Sequence, residues 1–177
     1  MDMNINKHKD IKINMGEGMG TRKDYLLLVI KRLIDNGFYE GRLKLMKLVF
    51  FLEHFSEVGN VLTKEHLFKG NDFIIYKFGP FSFDVVNDMQ ELVSEGFIEE
   101  EEKGFTKSVT LTEVGEEKIN KLQESVDQKD ITRIETILNK FGSMNGKQLE
   151  KTSLEFLGLS LEDKLLHQGE KVIDLIP

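Results

Sequence analysis

The sequence predicts a mainly helical α+β fold, and three observations predict it. The stretch Asp72 to Gly96 reads as a short strand, a rigid corner and an amphipathic helix. Two apolar helical segments precede it, and after it two strand-like runs flank a turn at Lys103-Gly104, followed by a capped helix. Helix, helix, strand, helix, hairpin, helix is the order of a winged-helix-like domain, in which packed helices carry a two-stranded β-hairpin as the wing.

Taken in order, Met1 to Gly20 is polar and reads as a mobile leader. Thr21 with Asp24 three positions on is a capping-box variant, and it opens a helix whose apolar content runs from Tyr25 to Ile34 before Asn36-Gly37 ends it. Leu43, Leu45, Met46, Leu48 to Leu52 and Phe55 cover most of the circumference of a second helix, from about Arg42 to Phe55, so it is expected to be the central buried one. Val58-Gly59-Asn60 breaks that helix, and a polar connection leads to Gly70.

Phe73 to Lys77 is β-branched and aromatic, and Gly79-Pro80 is expected to stop it, because proline has no N–H and restricts the residue before it. Ser82 caps the third helix, Asp84 sits in its first turn, Gly96 closes it, and Val85, Val86, Met89, Leu92 and Val93 form its apolar stripe. Phe97 to Glu102 and Phe105 to Leu111 are the two strands of the hairpin. Thr112 caps a fourth helix to about Val126, and Ile131, Ile134, Ile137, Leu138 and Phe141 mark a fifth, closed by Gly142. Lys147 to Leu157 and Ser160 to Gln168 read as short helices, the latter with Ser160 and Asp163 as a capping pair. The expected domains are a leader over 1–20, a winged-helix-like domain over 21–126 and a C-terminal helical extension over 127–177.

Apolar residues make up 40% and charged residues 31% of the 177, and no apolar run approaches the roughly 18 to 20 residues that cross a bilayer. With no signal-peptide pattern at Met1 to Gly20, a cytoplasmic location is expected. The absence of cysteine excludes disulfides, thiolate zinc sites and cysteine nucleophiles. Net charge is -7, unevenly spread: residues 1 to 77 carry +3 and residues 78 to 177 carry -10. From Phe78 to Glu102 there are eight acids and no Lys or Arg.

That asymmetry bears on function. A helix entering the major groove brings cations to phosphates and bases, whereas the third helix presents Asp84, Asp88, Glu91 and Glu95 as one acidic ridge, so DNA docking by that helix is disfavoured. Basic residues lie instead on the first two helices, and Arg22, Lys23, Arg42, Lys44 and Lys47 are the candidate nucleic-acid contacts of an alternative, transcription-regulator reading. Gly16-Glu17-Gly18-Met19-Gly20 lacks the spacing of a phosphate loop, and the four histidines are too scattered for a metal motif. No catalytic constellation is present, and no cofactor or metal is expected. Phe73, Tyr76, Phe78, Phe81 and Phe83 cluster around the corner, where exposed rings beside an acidic rim suit protein recognition. The expected partner-binding residues are therefore Tyr76, Phe78, Pro80, Phe81, Asp84, Asp88 and Glu91, facing a basic protein partner; the regulator reading carries the further expectation of a homodimer through the helices from Ile131 onward.

L-K-L-M-K-L-V-F-F-L in the second helix, Y-K-F-G-P-F-S before the third and L-T-E-V-G after the hairpin together resemble an archaeal and bacterial family, the YwgA-like proteins, and more distantly the Panacea or SocA-like antitoxin domain. The resemblance covers roughly Thr21 to Ser125, with weaker similarity in the helices after it, and carries over Lys47, Tyr76, Gly79, Pro80, Phe81 and Ser82. It implies a winged-helix-like fold, and its antitoxin-like relatives act by binding proteins, either neutralising a toxin directly or delivering it to a protease. Phe81-Ser82-Phe83 departs from the usual Panacea motif, which points to the YwgA-like side.

Overall fold

The computed structural model describes residues 20–177; the expected leader except Gly20, with its glycines and His8, lies outside them. The described chain is a mixed α+β fold of seven α-helices and three separate two-stranded antiparallel hairpins. Helix α1 (Arg22–Asp35) starts at the expected capping box, in which the Asp24 N–H donates to Thr21 Oγ1 at 3.2 Å and the Thr21 N–H to Asp24 Oδ2 at 3.0 Å. Helix α2 (Arg42–His54) is central, with Leu45, Met46 and Leu48 to Leu52 all buried. Phe51 stacks on Phe141 with ring centroids 3.9 Å apart, and Phe55 and Phe156 pack edge-on around them.

Beyond α2 the chain departs from expectation twice. Phe55–Ser56 (β1) and Val61–Leu62 (β2) pair across the glycine break, an unexpected hairpin made possible by left-handed backbone at Gly59 and Asn60. More consequentially, Gly79-Pro80 does not end the sheet: Gly79–Phe81 (β4) folds back on Ile74–Tyr76 (β3), pairing Ile75 with Pro80. The missing N–H of Pro80 costs the ladder nothing, because the Ile75 N–H and C=O point the other way, bonding Glu170 O at 2.9 Å and Gly169 N–H at 2.7 Å. The C-terminal segment thereby covers the free edge of β3 and leads into α7 (Val172–Leu175).

Helix α3 (Phe83–Ser94) has its Ser82 cap and a left-handed Gly96 beyond its end, and buries Val85, Met89 and Leu92. The hairpin β5 (Ile98–Lys103) and β6 (Thr106–Leu111) turns at Gly104-Phe105, one residue later than expected, since Lys103 pairs with Thr106. Helix α4 (Glu113–Gln123) follows its Thr112 cap. Helices α5 (Gln128–Phe141) and α6 (Gly146–Phe156) share the core with α2. Ile134, Ile137, Leu138 and Phe141 are buried there, so the apolar side expected to form a homodimer interface is used within the chain. Only a 3-10 turn, Asp163–Leu165, forms where a helix over Ser160 to Gln168 is expected. The Ser160–Asp163 capping pair is present, but Leu161, Leu165 and Leu166 remain exposed, and without a buried face the turn does not propagate. No helix among the described residues is long and apolar enough to cross a membrane.

Candidate functional site

The β3–β4 hairpin sorts the corner aromatics into three environments. Phe73 is buried, whereas Tyr76 and Phe78, on either side of the turn, are each 44% exposed, and Phe83 at the start of α3 is 61% exposed. Tyr76, the half-buried Phe81 and Phe83 form a continuous row, with centroids 5.2 and 5.1 Å apart. Phe78 turns instead toward a neighbouring cleft. Pro80 is buried, and its carbonyl accepts a 2.6 Å hydrogen bond from Lys47 Nζ, so it supports the ridge from beneath and presents no surface of its own. Gly79 has φ of +87°, a left-handed conformation that strains any side chain, although a Cβ there would meet Glu150, Lys47 and Leu154 only at ordinary contact distance.

The acidic ridge and the basic face turn out to neutralise each other. Arg22 Nε donates to Asp88 Oδ2 at 2.6 Å and Nη2 to Oδ1 at 3.0 Å, a bidentate pair over a buried carboxylate, while Arg22 Nη1 lies 3.6 Å from Asp84. Lys23 bridges Glu91, at 3.0 Å, and Glu95. Arg42 forks onto Glu100 of β5, tying the start of α2 to the hairpin. Lys44 and Lys47 are buried. Arg22 and Lys23 thus dock α1 on the acidic residues of α3, while Arg42 docks α2 on Glu100 of β5, outside that ridge. A single sequence cannot reveal pairs joining residues more than 50 positions apart.

Lys44 and Lys47 form the floor of a cleft of about 910 Å³ bounded by the start of α2, the β3–β4 turn, the β5–β6 hairpin and the start of α6. Burial pushes the Lys47 ammonium down to about 8, against attraction from Glu150. A lysine that loses its proton more readily folded than unfolded opposes folding while charged in both states, and that opposition is relieved as pH rises. Stability to urea is therefore expected to rise by about 3 kcal/mol between about pH 8 and 10.5, a rise that Lys47→Met should largely remove. Superimposable pH profiles for the two proteins would overturn this. Burial likewise pushes the Lys44 ammonium down and the Tyr39 phenol up, and neither Lys44 Nζ nor Tyr39 Oη has a hydrogen-bond partner among the described residues.

Two residues not singled out in the sequence hold this architecture in place. Glu53, fully buried at the end of α2, accepts the backbone N–H groups of Lys69, Gly70 and Asn71, the Asn71 amide and His66 Nδ1, and so shapes the connection into β3. Beside it His54 is buried, with Nδ1 3.0 Å from Thr63 O, and burial pushes its imidazole toward the neutral form. Arg133 of α5 donates to the carbonyls of Phe51, Leu52 and Phe55. Nothing in the local pattern marks Glu53 or Arg133, since their partners lie at distant positions or on the backbone. Among the described residues no group of three or more His, Asp or Glu is arranged to hold a metal ion.

Comparison with known families adds one finding. The model of the family described as Antitoxin SocA-like, Panacea domain, matches residues 45–156, from α2 through the end of α6. The match begins later than the resemblance read from motifs and includes α5 and α6, where that resemblance is weaker. The matched span contains the G-P-F-S corner, Gly79 to Ser82. No curated protein and no solved structure matches the chain significantly.

Proposed function

Since the chain belongs to the SocA-like antitoxin family of Panacea domains, we propose that it is a non-enzymatic protein-binding module, antitoxin- or adaptor-like, whose docking face is the aromatic row Tyr76, Phe81 and Phe83. The observation that carries this reading is the row itself: three touching rings, two of them substantially exposed, on a hairpin braced from below by Lys47 and along its edge by the C-terminal segment. Aromatic anchors on a rigid support contribute disproportionately to protein–protein affinity, because their area is large and few rotamers are lost. The acidic residues of α3 serve this face as scaffold, and Glu91, exposed beyond its pairing with Lys23, lies farther along the same helix. In the same reading the β5–β6 hairpin is the wing of a winged-helix plan whose α3 is turned to protein recognition.

The test is co-expression with the product of each neighbouring gene, the partner being one that arrests growth when expressed alone. Rescue of growth is expected from the native chain, and Tyr76→Ala/Phe83→Ala should abolish rescue and weaken the purified complex by at least about tenfold while leaving the circular dichroism spectrum intact. A double variant that rescues as well as the native chain would refute the assignment of the face.

A further inference from the structure

The cleft floored by Lys44 and Lys47 is separate from the aromatic row, lying across the β3–β4 turn from it, and its charge is one-sided. Five lysines line it, Lys44 and Lys47 below and Lys103, Lys107 and Lys147 around the rim, against Glu40 and Glu150. Glu150 is occupied by an ion pair with Lys164. Lys44 Nζ has a long ion pair with the half-exposed Glu40, at 3.8 Å and beyond hydrogen-bond distance, and lies 5.5 Å from the centre of the Phe38 ring. Lys44 is 2% exposed and its Nζ has no hydrogen-bond partner among the described residues, nor has Tyr39 Oη on the same wall. A buried ammonium without a hydrogen-bonded acceptor is costly, and the negative charge of a carboxylate held in the cleft would offset part of that cost. Of the rest of the lining, Thr106, Ser108 and Asn145 are polar, and Leu43 and Phe78 offer apolar surface open to solvent, 46% and 44% exposed.

We propose that this cleft is a docking groove for an acidic linear segment of the protein partner, its carboxylates drawn to Lys44 and the rim lysines and its aliphatic side chains lying against Leu43 and Phe78. The volume, about 910 Å³, accommodates a few residues of extended peptide. The proposal rests on the reading of the chain as a protein-binding module and names the chemistry of a second contact: the aromatic row anchors, and the cleft selects for acid. Charge complementarity of this kind sets partner choice and encounter rate more than total affinity.

The experiment is a fluorescence-anisotropy titration of the full chain with a labelled peptide of alternating leucine and glutamate, alongside the leucine/glutamine and leucine/lysine peptides of equal length. Saturable binding of the glutamate peptide alone, weakened at least about tenfold by Lys44→Met and by the exposed rim change Lys107→Glu, is expected. Tyr76→Ala/Phe83→Ala should leave peptide binding unchanged. Equal binding of the glutamine peptide, absence of binding by the glutamate peptide, or indifference to both lysine substitutions would overturn the proposal. So would displacement of the peptide by citrate or by duplex DNA at equal charge concentration, which would make the cleft a small-acid or a phosphate site. The two readings fail separately: peptide binding that depends on Lys44 while growth rescue ignores Tyr76 and Phe83 sinks the aromatic face alone, and the reverse sinks the groove alone.

Discussion

Glu53→Gln is expected to lower the free energy of unfolding by roughly 4 kcal/mol, near the top of the range for a single substitution. The change is almost isosteric, so packing around residue 53 is preserved and the effect isolates hydrogen bonding. In the native chain Glu53 Oε1 accepts from Lys69 N, Asn71 N and Asn71 Nδ2 at 3.0 to 3.1 Å, and Oε2 accepts from His66 Nδ1 at 2.9 Å and Gly70 N at 3.1 Å. A glutamine oxygen can replace one of these acceptors, but its amide then points two N–H donors at the groups bound by the other. Buried donors are left facing a donor, and each such loss costs about 1 to 3 kcal/mol. Urea unfolding gives the magnitude, and amide exchange gives the place: protection of Lys69, Gly70 and Asn71 should fall before that of α2. A loss below about 1 kcal/mol would mean that water substitutes for the carboxylate, and the clasp would then be incidental. Because Asn71 and Phe73 lead directly into β3, the same variant should also loosen the aromatic row, coupling stability of the connection to partner binding.

How far this was legible from sequence depended on the range of the interaction. Thr21 with Asp24, Ser82 with its helix, and Thr112 with Gly115 act within a few positions, and each stands where the local pattern places it. Helix α2 was recognisable as central because an apolar residue recurs on every side of it, which only a helix surrounded by protein tolerates. The β3–β4 hairpin was not, because the rule that proline ends a strand holds only where its N–H is needed, and that depends on Gly169 and Glu170 nearly a hundred residues away. Charge told the same story. Asp84, Asp88, Glu91 and Glu95 do lie along one face of a helix, yet each is paired with Arg22 or Lys23 of α1, and Asp88 is buried by its pair while Glu91 and Glu95 stay exposed. The exposed aromatic residues were picked out as candidates by composition, but which of them are free was decided by the hairpin.

Arg133→Met is expected to destabilise the chain by roughly 3 kcal/mol, for a reason that bears on how the chain is divided. A helix ends with carbonyls that have no partner within it. At the end of α2 these are all satisfied from outside: Glu53 O accepts from Leu67 N at 2.7 Å, His54 O from Thr63 N at 2.7 Å, and Leu52 O from Arg133 Nη2 at 2.8 Å, with Arg133 also reaching Phe51 O at 3.1 Å and Phe55 O at 2.6 Å. The guanidinium is a cation at the negative end of the helix dipole, and its planar fork spans carbonyls that a methionine of similar length leaves bare. Burial lowers its pKa, but the group stays charged throughout the accessible range. If residues 127–177 were an appendage on an independently stable domain, the variant would release α5 and α6 in a separate, earlier transition and leave residues 21–126 folded. The shared core, with Phe51 stacked on Phe141, argues instead for one cooperative transition displaced as a whole to lower denaturant. Following far-ultraviolet circular dichroism and the exchange of α1 amides in the same titration distinguishes the two, because only a single cooperative unit loses both signals together.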